Sequence, residues 1–360
     1  MNKPYKITIF GPGRMGGICI WEMANSDSFE IVGVRAYSEE KAGVDVGELI
    51  GIDPIGIKAS TDVDEVLAIE CDCVVYTAHD DGNFNTDEEI LKILAAGKSV
   101  VTPLPYQNAH LFREKEFSDK LRAACIKGGS VFYAGGLDPD LVPNRILLAL
   151  TGGCADVKSI KLQENWDCSE ASQGPLQYIG FGKKPEEAEK IEVSKAMANN
   201  FMKSIVYTAE KVLDVKYDRV VESHDYVPTT ADIQKPFLIA AGTVARITHR
   251  MQGFVDAIGE APLFTIEYHW LIGETMLPEG VQPGQYYVGT IEGRPSMKMT
   301  LDLCVSNNSD ERFFSMGNLE AEPSYISTLI PCVQAIPHVC KAEPGLLDSF
   351  DPSLNWKQTL

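Results

Sequence analysis

Ile7-Thr-Ile-Phe-Gly-Pro-Gly-Arg-Met-Gly16 joins an apolar run to a G-x-G-x-x-G turn, and Met15, Ile18, Ile20, Trp21 and Met23 continue the apolar pattern beyond it. Strand, glycine turn and helix in this order form the phosphate-binding element of a dinucleotide-binding domain. Gly11 permits the tight turn. Gly13 lets backbone N–H groups approach a pyrophosphate, and Gly16 lets the helix pack close to the sheet with its positive end toward the phosphates.

From residue 5 to about 150, short β-rich runs alternate with helical ones, which predicts a parallel sheet covered by helices, a Rossmann-type α/β domain. The expected strands are Lys6–Phe10, Phe29–Ala36, Asp72–Thr77, Ser99–Thr102 and Ser130–Ala134. Asp87–Ala96 and Leu111–Lys127 read as sheet-covering helices that end at glycines. Past Thr151-Gly-Gly153 the pattern changes to longer strands with polar and aromatic interruptions, the mark of a second, α+β domain with a mixed sheet. Its expected elements are strands at Val157–Asp167 and Arg219–Val227, a helix over Asn199–Leu213, and strands within Ala261–Ile272, Gln285–Glu292 and Ser296–Val305. Tyr325–Val339 reads as a final helix. The domains are therefore placed at residues 1–145, with a carboxy-terminal return at 325–360, and at residues 146–324.

The 360 residues are long enough for two full cores, and a formal net charge of -19 argues against nucleic acid or an anionic membrane as partner. Nine cysteines with no C-x-x-C pair, no apolar leader and no run of about 18 apolar residues place the chain in a reducing cytoplasm. No metal-ligand spacing and no G-x-S-x-G elbow occurs, so no metal is expected and zinc-hydrolase and serine-hydrolase chemistry are set aside.

At the second strand's end Arg35 stands where NAD-preferring domains place a carboxylate, and Ser38 and Lys41 follow; an arginine here accommodates a 2′-phosphate, so NADPH is favoured over NADH. Glu39 and Glu40 temper that preference. Gly11, Gly13, Arg14, Met15 and Gly16 are expected at the pyrophosphate, and Arg35 and Ser38 at the 2′-phosphate. Thr77, Ala78, Leu104 and Gly136, at successive strand ends, are expected beside the nicotinamide. Hydride transfer to a carbonyl or imine also needs a proton donor. His224 is the first candidate, followed by Tyr226, Glu164 and Tyr178, and each of the four has a purely structural alternative.

Gly11-Pro-Gly-Arg-Met-Gly-Gly17, Ser38-Glu-Glu-Lys-Ala-Gly-Val-Asp-Val-Gly-Glu48 and Gly135-Gly-Leu-Asp-Pro139 resemble the dihydrodipicolinate reductase-like proteins. Within them the chain looks most like the branch containing 2,4-diaminopentanoate dehydrogenase and NAD(P)H-dependent amine dehydrogenases. The likeness runs through Gln177-Tyr-Ile-Gly-Phe-Gly182 and Ile247-Thr-His-Arg-Met-Gln-Gly253 to Ile336-Pro-His338. It implies a Rossmann domain, a mixed-sheet substrate and dimerisation domain, and a homodimer. Two departures matter. Gln163-Glu-Asn-Trp-Asp167 lacks the His-His segment and lysine of true dihydrodipicolinate reductases, and Pro103-Leu-Pro-Tyr-Gln107 lacks the glutamate that the amine-handling members carry after this strand. The resulting expectation is an NADPH-dependent oxidoreductase acting on a small C=N, C=O or activated C=C substrate in an interdomain cleft. The alternatives are a non-catalytic NADP(H)-binding redox sensor and an amine dehydrogenase using a different carboxylate.

Overall fold

A computed structural model describes residues 3–171, 173–347, 349–350 and 354. In chain order the strands are β1 (Tyr5–Phe10), β2 (Phe29–Arg35), β3 (Ala59–Ser60), β4 (Cys73–Tyr76), β5 (Ser99–Thr102) and β6 (Val131–Ala134), followed by β7 (Val157–Asp167), β8 (Arg219–Pro228), β9 (Val244–Phe254), β10 (Phe264–Leu271), β11 (Tyr287–Gly293) and β12 (Met297–Leu301). Last come β13 (Phe314–Met316), β14 (Leu319–Ala321) and β15 (Gly345–Leu346). The chain divides into two compact units. One holds residues 1–80, 84–141 and 304–360; the other holds residues 81–83 and 142–303.

The first unit is built on a seven-stranded sheet in the order β15-β6-β5-β4-β1-β2-β3, with every pairing parallel. A parallel sheet is buried on both faces, so its strands are continuously apolar; Cys73–Tyr76 and Val131–Ala134 are buried at every position. Two cores flank it. One gathers Ile7, Ile9, Ile18, Val34 and Val75 with Cys332, Val333 and Ile336 of the helix Pro323–Val339. The other packs Val74, Tyr76, Ile90, Leu94, Leu121 and Phe132.

The second unit is built on a mixed six-stranded sheet, β12-β11-β7-β10-β9-β8, in which β7 and β10 run parallel and the other pairs antiparallel. The helix Glu192–Val212 packs on β9 and β10. It starts seven residues before the expected position, at Glu192. Strand β9 is an addition to the sequence-based expectation. Arg246, Thr248, Arg250 and Gln252 alternate with Ile247, His249 and Met251, so the period-two signal is present but diluted by charge. All nine cysteines are free thiols. Among the described residues, no helix is long and apolar enough to cross a membrane.

Candidate active site

The glycine turn is shaped by close backbone approach. Gly11 has φ +90, and a Cβ there would lie 2.7 Å from the Ala78 backbone. At Gly16 a Cβ would meet the Gly11 carbonyl oxygen at 2.2 Å. Both positions therefore require glycine. A Cβ at Gly13, by contrast, meets nothing within 4 Å. Gly13 is exposed and caps the helix Arg14–Ala24, so the space in front of the helix's first N–H groups is open on the chain's own side. That vacant space fits a pyrophosphate. Thr77 Oγ1 donates to the carbonyls of Phe10 (3.0 Å) and Gly11 (2.9 Å) and pins the turn to the end of β4. Ala78 is buried beside it. Lys41 Nζ donates to the Pro12 carbonyl at 2.9 Å, which puts a cation behind the turn. Arg14 is exposed and lies over the ring of Tyr325, with its carbon Cζ 5.2 Å from the ring centroid; Met15 is half-buried.

Arg35 ends β2 and its side chain is 14% exposed, so it is not a freely solvated charge. Its Nη1 donates to the Ala36 carbonyl, its guanidinium lies 4.6 Å from the Tyr37 ring centroid, and its Nε is 4.0 Å from Glu89 Oε1. Ser38 Oγ contacts Glu40 Oε1 at 3.3 Å. At the other strand ends, Leu104 is half-buried with its N–H on Thr102 Oγ1 at 3.2 Å, and Gly136 adopts φ +136. In the loop that lacks the expected glutamate, Gln107 Nε2 donates to Asp140 Oδ1 at 2.6 Å, and the Tyr133 hydroxyl donates to Asp140 Oδ2 at 2.7 Å. Asp140 is fully buried, so a carboxylate does stand at this sheet edge, carried by the turn after β6.

In the second unit three of the four proton-donor candidates, Glu164, His224 and Tyr226, fall on one face of the mixed sheet. Residues directly opposite in register point to the same side. Tyr287, Glu164, Tyr268, His249 and His224 therefore form one row across β11, β7, β10, β9 and β8. Glu164 and His224 are three strand spacings apart, about 14 Å, so they do not meet on one atom. Tyr226 stands two residues from His224 on the same face, and burial raises the pKa of its hydroxyl. Tyr178 is 64% exposed on the helix Gln173–Ile179.

The row also contains His249, which sequence inspection passed over with the strand that carries it. His249 is fully buried, its Nδ1 lies 2.7 Å from Nδ1 of half-buried His224, and its ring packs 4.8 Å from Trp270. Burial, then the neighbouring His224 and Lys195, depress its pKa to about 3. Burial also lowers that of His224. A neutral His249 can hold the His224 ring in one orientation through the shared proton, which leaves Nε2 as the second titrating nitrogen of His224.

The opposite face is polar and borders a cavity of about 880 Å³ whose lining includes Lys161, Gln163, Arg250 and Glu267, together with His224 and Tyr226 on the edge strand β8. Glu267 bridges Lys161 (2.8 Å) and Arg250 (2.5 Å). Against its desolvation, hydrogen bonds from His269, Lys161 and Arg250 hold the Glu267 carboxyl well below the usual range. It therefore stays charged and is unsuited to proton transfer. Among the described residues, no three His, Cys, Asp or Glu side chains come together as a metal site.

A doubly wound parallel sheet whose first turn carries this glycine geometry defines a dinucleotide-dependent enzyme class. Residues 5–101 match the family model described as dihydrodipicolinate reductase, N-terminus, and residues 141–308 match the 2,4-diaminopentanoate dehydrogenase C-terminal domain. The chain is 28% identical over 357 residues to an amine dehydrogenase of Streptomyces virginiae, covering 95% of this chain and 94% of that one. It is 24% identical over 359 residues to the 2,4-diaminopentanoate dehydrogenase of Acetoanaerobium sticklandii, covering 96% and 92%. The solved amine dehydrogenase from Mycobacterium smegmatis shares the fold, with a TM-score of 0.73 at 20% identity over 96% of this chain and 95% of that one. The chain is an NAD(P)-dependent oxidoreductase. Its first part is similar to the amino-terminal region of dihydrodipicolinate reductases and its second part to the carboxy-terminal domain of 2,4-diaminopentanoate dehydrogenase.

Proposed function

We propose that the protein is an NADPH-favouring dehydrogenase that interconverts a small amine and its imine, with related C=O and activated C=C compounds as further candidates. The observation that carries this reading is the open Gly13 cradle with Arg35 held at the neighbouring strand end. Bound there, the cofactor supplies or accepts a hydride at nicotinamide C4. Gly11, Gly13, Arg14, Met15 and Gly16 hold the pyrophosphate, Arg35 and Ser38 the 2′-phosphate, and Thr77, Ala78, Leu104 and Gly136 flank the nicotinamide. The amine–imine couple draws support from the full-length likeness to an amine dehydrogenase.

His224 is the first choice for moving the proton. It is half-buried, and His249 fixes one of its nitrogens. A lowered pKa keeps it neutral near pH 7, a base suited to the oxidative direction; reduction then gains rate as pH falls through that pKa. Tyr226, Glu164 and Tyr178 stand behind it. The loop bearing Gln107 lacks a glutamate, and Asp140 bonded to Gln107 supports an amine dehydrogenase that uses a different carboxylate. We also propose that the chain works as a homodimer.

Fluorescence titration of NADPH and NADH, on the parent and on Arg35→Ala, tests the cofactor assignment. A parent preference for NADPH that collapses in the variant is the expected result, with NADP+-dependent oxidation of short amines as the activity readout. If neither nucleotide binds the parent, the reading fails.

A further inference from the structure

The glycine turn and Arg35 leave unexplained a second charged group beside them. Glu89 sits in the first turn of the helix Asp87–Ala95, far from β2 in sequence, yet its carboxylate reaches the end of that strand. One oxygen, Oε2, accepts hydrogen bonds from two tyrosine hydroxyls, that of Tyr76 at 2.8 Å and that of Tyr37. Burial above all, together with the bonds to Glu89, raises the pKa of Tyr37, and Tyr76 is raised too, so both remain donors. The other oxygen, Oε1, faces Arg35 Nε at 4.0 Å, and the Glu89 side chain is only 19% exposed.

Arg35 is oriented by this arrangement without being saturated. Its Nη1 is committed to the Ala36 carbonyl and its guanidinium lies over the Tyr37 ring, while its buried Nε makes no hydrogen bond. An arginine held this way is ready to take an anion. A phosphate arriving at Arg35 also meets the Glu89 carboxylate, in a setting with little water to screen the repulsion. A neutral ribose hydroxyl meets no such penalty, and a carboxylate is the group that accepts from it.

We propose that Glu89 is a specificity-determining residue for the nucleotide: it opposes the 2′-phosphate that Arg35 attracts and so limits the preference for NADPH over NADH. This rests on the assignment of the turn and Arg35 to dinucleotide binding. Tyr37 and Tyr76 act as positioning residues that keep the carboxylate at the strand end.

The test is a set of dissociation constants for NADPH and NADH, by fluorescence titration at one fixed ionic strength, for the parent, Glu89→Gln, Arg35→Ala and the double variant. Glu89→Gln is expected to tighten NADPH by about tenfold and to change NADH by less than about threefold. In the Arg35→Ala background the same substitution should move NADPH less, because the two charges act on the same phosphate. Glu89→Asp, which withdraws the carboxylate but keeps its charge, should fall between parent and Gln and serves if Glu89→Gln is poorly folded. A NADPH-to-NADH ratio unchanged or lowered in a folded Glu89 variant, with the parent still binding nucleotide, overturns the proposal and leaves Glu89 as a brace for two tyrosines. Absence of nucleotide binding by the parent overturns instead the assignment on which it rests.

Discussion

Gly13 and Gly16 lie three residues apart in one motif and face opposite constraints. A methyl group at Gly16 would meet the Gly11 carbonyl at 2.2 Å, whereas at Gly13 it would enter open space. Gly16→Ala is therefore expected to distort the turn, lower the melting temperature by several degrees and abolish nucleotide binding. Gly13→Ala should leave the melting temperature within a degree or two and weaken the nucleotide by about tenfold or more, since on the proposed assignment its methyl group enters the place of the pyrophosphate. Thermal unfolding and NADPH titration on both variants check this. An equal loss of stability in the two would mean that Gly13 serves the fold and not the ligand. The motif itself is legible in the sequence. The difference between its glycines is not, because it depends on where the Gly11 carbonyl and the Ala78 backbone lie.

At the scale of the element, β9 joins His224 and Glu164 into one row through β10. Its His249 is buried neutral, with a pKa near 3, while the unfolded chain binds a proton near the ordinary value of 6.5. Between those pH values the unfolded state holds more protons, so stability falls as pH drops through the window, by an amount on the order of 4 kcal/mol from this group. Glu267 acts in the same direction at lower pH, since its depressed pKa adds stability above the ordinary glutamate range that is lost on acidification. His249→Phe should flatten the dependence of unfolding free energy on pH between about 6.5 and 4, measured by urea denaturation at a series of pH values. A slope equal to the parent's would show that His249 is not the group being charged. Strand β9 is hard to read in the sequence because Arg246, Arg250 and Gln252 fill alternate positions and its apolar face is interrupted by His249, although the alternation is visible once pairing to β8 and β10 is known.

For the whole molecule, two units with separate cores predict a localised response to cofactor. A ligand at 100 times its Kd stabilises the state that binds it by about 2.7 kcal/mol. Hydrogen exchange with saturating NADPH should therefore slow first at residues 9–17, 35–41 and 76–79 of the first unit. Protection confined to the second unit would contradict the placement of the site. Light scattering at micromolar concentration tests the homodimer by its mass, twice 39.5 kDa.

The parallel sheet, the glycine turn and the final helix could be read from local pattern, because buried parallel strands are continuously apolar and a turn needing positive φ or close backbone approach selects glycine. The environment of each charge could not. Glu89 reaches Arg35 across more than fifty residues of chain, Asp140 bonds to Gln107 from beyond the next strand, and His249 pairs with His224 through register on adjacent strands. Electrostatic energy depends on distance and burial, and chain folding sets both without regard to sequence separation.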